Sequence, residues 1–165
     1  MNKIKQTEMI PSQEQAGPSQ EAIDQAVRDL GNAFHENWRR GRLNEDGTFE
    51  PRIKVTHDSG WIEARGTDRV DIANTVYDDL PEDWRAENQA AAEVIVNIFN
   101  EYNGNIDLND QETRSRLGER VHAEWLSRNE WAKGSELEVP FAELSEAEQA
   151  KDLDQIAVAQ QVFRS

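Results

Sequence analysis

Two histidines hold matching places in this chain. Phe34-His35-Glu36-Asn37-Trp38 and Val121-His122-Ala123-Glu124-Trp125 each set an apolar residue, then a His, then a Trp three positions further on. If a pseudo-twofold brought His35 and His122 together, two imidazoles could ligate a metal, exchange protons or sense pH. The plainer role is for each imidazole to cap or pack beside its own Trp. His35-Glu36 lacks the second His that a metalloprotease helix needs, since Arg39 stands four residues after His35. We therefore assign no catalytic residue, no metal ligand and no cofactor from the sequence.

Tryptophans and arginines supply the next candidates. Trp38 and Trp125 continue the apolar stripes of their segments and read as core, whereas Trp61 and Trp131 fall in loops outside any stripe and read as binding residues. Arg39, Arg40 and Arg42 set three guanidiniums just beyond Trp38, able to grip a phosphate or carboxylate. A helix C-terminus also favours cations there without any ligand. The carboxylates Asp78-Asp79, Glu82-Asp83, Asp152 and Asp154 read as a solvated acidic surface, and Asp152 and Asp154 do not share a helix face. Asn103-Gly104-Asn105-Ile106-Asp107 is no calcium loop, because Leu108 replaces the sixth-position Gly and Arg114 the closing Glu.

Helices must position these groups. From about Gln20 to Arg40, Ile23, Val27, Leu30, Phe34 and Trp38 recur at intervals of three and four and share one face. Between Gly41 and Thr75 the period breaks, and Arg52 to Thr56 alternates enough for a strand of a small hairpin. A second helix is predicted from Pro81 through Phe99, a third from about Asp110 to Asn129, and a fourth from the capping box Ser145-Glu-Ala-Glu148 to Phe163. Residues 1–20 have only Ile4, Met9 and Ile10 as sizeable apolar side chains and are predicted to form a flexible tail.

The histidine segments lie 87 residues apart, while Val76-Tyr77-Asp78-Asp79-Leu80 answers Pro140-Phe141-Ala142-Glu143-Leu144 at an offset of 64 that holds to Phe99 and Phe163. The ordered matches predict two diverged copies of a helix-loop-helix unit, the first carrying about 23 extra residues. The expectation is a mainly α fold: four helices in two pseudo-symmetric units, with a small β-hairpin in the first long loop. Residues 21–165 would form a single domain, with halves of about 21–102 and 103–165. The unit resembles the ryanodine-receptor repeat domain. Val121-His122 with Trp125 and Pro140-Phe141-Ala142-Glu143-Leu144 with Glu148 carry the likeness, and His35, Trp38, Tyr77 and Leu80 echo it in the first half. That resemblance implies an α-helical tandem module used in regulation or interaction, with no catalytic residues to transfer.

A net charge of −15 over 165 residues repels a phosphate backbone, which disfavours nucleic acid as a partner. Residues 1–20 balance Lys3 and Lys5 against Glu8 and Glu14, so the charge belongs to the body. No run nears the roughly 20 apolar residues of a membrane helix, and the N-terminus lacks the apolar core of a secretory signal. With no cysteine, a cytoplasmic location is expected. The favoured function is a non-enzymatic binding or regulatory module that recognises a protein partner with a basic surface. Its binding residues would be the loop aromatics Trp61 and Trp131. The alternative is a sensor or sequestering protein for a small nucleotide-like ligand stacked on Trp and held by Arg39, Arg40 or Arg42. A small enzyme using His35 and His122 ranks third.

Overall fold

The computed structural model describes residues 18–164, so most of the segment 1–20 expected to form a tail lies outside the described residues. Its elements run α1 (Gln20–Arg40), β1 (Ile53–Val55), α2 (Ser59–Arg65), β2 (Arg69–Asp71), α3 (Glu82–Glu101), α4 (Gln111–Arg128) and α5 (Glu146–Arg164). The molecule is mainly helical, with five α-helices and one two-stranded antiparallel hairpin among the described residues.

Local chemistry sets the helix starts. The Ser19 hydroxyl accepts from the Ala22 N–H at 3.1 Å, Asp110 from Thr113 at 3.1 Å, and Ser145 from Glu148 at 3.2 Å, each supplying one of the partners that a first helical turn lacks. Asn103 at φ 52° and Gly104 at φ 77° turn the chain out of α3. The apolar stripes meet in one core. Leu30 of α1, Ile95 and Ile98 of α3, Leu117 of α4 and Ile156 of α5 are fully buried, and Phe141, Leu144 and Leu153 form a smaller cluster beside them.

The long first loop holds more structure than its sequence signalled. β1 and β2 pair with Lys54 opposite Val70, and the seven-residue α2 fills the gap between them. This insertion is clamped to the start of α3. Asp58 accepts from Trp61 N–H at 3.1 Å and from Glu82 N–H at 2.9 Å, capping α2 and α3 with one carboxylate. Asp83 accepts from the Thr56 hydroxyl at 2.7 Å and the His57 N–H at 2.9 Å. Burial would raise the Asp83 pKa, but these bonds and the Trp84 N–H hold it below its ordinary value. A single seven-residue helix with no apolar stripe leaves little periodic trace, which is why four helices were expected and five are found.

A short turn of 3₁₀ helix precedes both α3 and α5, at Tyr77–Asp79 and Phe141–Glu143. The ring of Tyr77 packs on Gly31 of α1 and that of Phe141 on Gly118 of α4. A Cβ on Gly31 would lie 3.0 Å from the Tyr77 hydroxyl, and one on Gly118 only 2.3 Å from Phe141 Cζ. Arg85 donates to the carbonyls of Asp78 and Leu80, and Gln149 to those of Phe141, Ala142 and Leu144.

Candidate functional site

Both histidines are buried and both face a loop of their own half. His35 Nε2 donates to the Thr75 carbonyl at 2.7 Å, and His122 Nε2 to the carbonyls of Leu137 and Val139 at 3.0 and 2.9 Å. Since carbonyls only accept, Nε2 carries the proton in each ring. Each imidazole also stacks on the Trp three residues on, with interplanar angles of 19° and 12°. Burial lowers the His35 pKa below its ordinary value, against the opposing pull of the Thr75 bond and of Glu36, so the ring is neutral at pH 7. No contact joins the two imidazoles, which serve as struts between helix and loop. Among the described residues no three His, Asp or Glu side chains are grouped to hold a metal ion.

His122 has one further neighbour. Asp152 of α5, expected to belong to a solvated acidic face, is instead buried with its carboxylate 3.8 Å from His122 Nδ1. Burial is the main cause that pushes its pKa up to about 6, with Glu148 and Glu119 adding to the rise and His122 and Lys151 opposing it. Asp154, two residues on, is exposed.

Arg39 and Arg42 bind the insertion. Arg39 Nε donates to the Ala73 carbonyl at 2.9 Å, its guanidinium pairs with Glu36 at 2.7 Å, and it lies 4.3 Å over the Phe49 ring. Arg42 donates to the carbonyls of Glu50 and Pro51, both at 2.9 Å, and covers the Trp38 ring at 5.3 Å. Arg40 is exposed and reaches Asn37 at 3.2 Å. Trp61 sits in α2, half-buried, with its indole N–H on the Asp79 carbonyl at 3.2 Å and Arg65 4.7 Å over its face. Trp131 is 69% exposed, its N–H on Asn129 Oδ1 and its ring edge-on to Trp125 at 5.6 Å.

All four long helices line one cleft of about 340 Å³. Phe34, Asn37 and Trp38 come from α1, Glu87, Asn88 and Ala91 from α3, Trp125 and Arg128 from α4, and Lys151, Asp154, Gln155 and Val158 from α5. A second hollow of about 310 Å³ adjoins it through Trp125, Lys151 and Gln155, and is lined by His122, Trp131, Glu148 and Asp152. Comparisons with protein-family models, with curated proteins and with solved structures find no match.

Within the cleft the unpaired groups stand out. The indole N–H groups of Trp61, Trp84 and Trp131 each have a protein acceptor. Those of Trp38 and Trp125 have none among the described residues, and neither do the side chains of Asn88, Asp154 and Gln155. Arg128 Nε is buried without a hydrogen bond, 3.7 Å from Glu87. A buried group such as Arg128 Nε ordinarily finds a partner, whereas the other five side chains meet solvent in the cleft. Trp38 and Trp125 were expected in the core, but Trp38 is 37% exposed and Trp125 half-buried. Being three residues past a buried His, each stands where its stripe leaves the core. Asn88 and Gln155 gave no sequence signal, since lone amides on a helix carry no periodic mark. The Leu-Gly pair at 30–31, repeated at 117–118, is a signal that could have marked the close ring contacts but was passed over.

Proposed function

We propose that this chain is a non-enzymatic binding and regulatory module that recognises a protein partner, and that the cleft between α1, α3, α4 and α5 is its recognition site. The contrast among the five indoles carries the reading. Three donate to acceptors within the molecule, whereas Trp38 and Trp125 reach the cleft with their N–H groups unpaired. Trp131 adds a largely exposed ring beside Trp125. Large amphipathic rings of this kind act as interface anchors, and a net charge of −15 favours basic partners. The test immobilises the chain and compares partner capture by wild type and by Trp38→Ala plus Trp131→Ala. Capture should fall sharply while the variant still melts cooperatively. Undiminished capture by a folded double variant would overturn the reading.

One observation favours a second occupant, a small nucleotide-like ligand: Arg128 Nε lacks a hydrogen bond, and Lys151 lines the same cleft. Arg128 and Lys151 would then take the phosphate role first given to Arg39, Arg40 and Arg42. A ligand that binds only the native state raises the melting temperature, so the absence of any shift across a nucleotide panel would discard this reading.

The proposal includes the two-copy origin of the chain and its resemblance to the ryanodine-receptor repeat domain. Three pairs of contacts support the duplication, the first two at the offsets of 87 and 64 and the third at 64 alone. Gly31 with Tyr77 answers Gly118 with Phe141, the His35 bond to Thr75 answers the His122 bond to Val139, and Arg85 answers Gln149 on the carbonyls of the preceding turn.

A further inference from the structure

Resting on the cleft reading above, we propose that its occupant is an extended peptide segment carrying a lysine or arginine, whose cation pairs with Asp154 and whose backbone meets the indole N–H groups of Trp38 and Trp125. Charge comes first. Arg128 lies 3.7 Å from Glu87, and Lys151 Nζ 2.9 Å from Glu148, so both cations of the cleft already have carboxylate partners. Asp154 has no partner among the described residues. The unpaired charge of the cleft is therefore negative, within a chain of net charge −15. A phosphate would find each cation already beside a carboxylate, with only Arg128 Nε still lacking a hydrogen bond, and Asp154 opposing it, while a cation finds Asp154 available.

Hydrogen-bonding capacity narrows the occupant further. Two indole N–H groups can only donate, the amides of Asn88 and Gln155 can donate or accept, and Asp154 accepts. An extended backbone offers alternating carbonyls and N–H groups along its length and suits such a mixed set. A helical segment has already paired most of its own backbone groups and would leave the indoles unpaired. Arg42 lies over the Trp38 ring at 5.3 Å, so the N–H edge is the group that ring has left for a ligand. The adjoining hollows, about 340 and 310 Å³, give room for more than one residue of the segment.

The test follows the indole N–H signals of the ¹⁵N-labelled chain by NMR, assigned with single Trp→Phe variants. The probes are a blocked pentapeptide of alternating alanine and arginine, its glutamate counterpart, and ATP. The arginine peptide should move the Trp38 and Trp125 signals and leave that of Trp84 in place, and the glutamate peptide should move none. Asp154→Asn should weaken the arginine peptide about fivefold, the upper range for an exposed ion pair, without lowering the melting temperature. Unchanged affinity in Asp154→Asn, or movement of the two signals with ATP and not with the arginine peptide, would overturn the proposal. Should every probe leave them still while partner capture continues to depend on Trp38 and Trp131, the basic segment is refuted and the protein-partner reading stands.

Discussion

Asp152 is a carboxylate held where ionisation is opposed. Its pKa rises from 3.8 to about 6 on folding, chiefly through burial, so the folded chain holds this proton more tightly than the unfolded one. The resulting contribution to stability is full below about pH 4 and is lost as the pH rises through about 6, amounting to on the order of 3 kcal/mol. Asp152→Asn keeps the shape and removes the titration. Melting temperatures from about pH 4 to about pH 7 should fall in wild type relative to the variant, which should be the more stable at pH 7. Parallel curves would show that this carboxylate does not govern the slope. The sequence marked Asp152 only as one acid among many. Its burial follows from the packing of α5 against α4, where His122 waits 3.8 Å away.

At the scale of elements, the two mid-helix glycines bear different loads. Alanine is the better helix former by about 1 kcal/mol, so a glycine inside a helix needs a packing reason. At Gly118 the reason is Phe141, whose ring carbons would stand 2.3 to 2.6 Å from an added Cβ. Gly118→Ala must displace that buried ring and should destabilise the fold by roughly 1–3 kcal/mol despite the helical gain. At Gly31 the nearest atom is the Tyr77 hydroxyl at 3.0 Å, so the ring, though buried, need shift by only a few tenths of an ångström. Gly31→Ala should therefore stay within about 1 kcal/mol of wild type. Urea unfolding of both variants checks the pair, and equal effects would remove the ring contacts as the explanation. The helices themselves were legible, with α1, α3, α4 and α5 falling within a few residues of their stripes and caps. α2 was not, because seven residues around Trp61 show no period of their own.

Charge acts on the whole molecule. A net −15 repels itself, and raising the ionic strength from about 0.01 M to about 0.1 M shortens the Debye length from about 30 Å to about 10 Å. The same added salt should therefore raise the melting temperature and weaken the arginine pentapeptide, two effects of opposite sign that one titration series can read. If binding instead strengthens with salt, attraction between the acidic chain and a basic segment is not what holds the complex.

The amino-acid sequence by itself determined the helical periods, the caps, the acidic character and the matched His-x-x-Trp segments, because each depends on spacing along the chain. Only the tertiary structure decided what those segments do. It turned His35 and His122 toward the loops of their own halves, engaged Arg39 and Arg42 with the insertion, and brought Trp38, Trp125, Asn88 and Asp154 to one cleft. Which polar group finds a partner, and which is left unpaired at a cleft, depends on how four helices meet and not on any one of them.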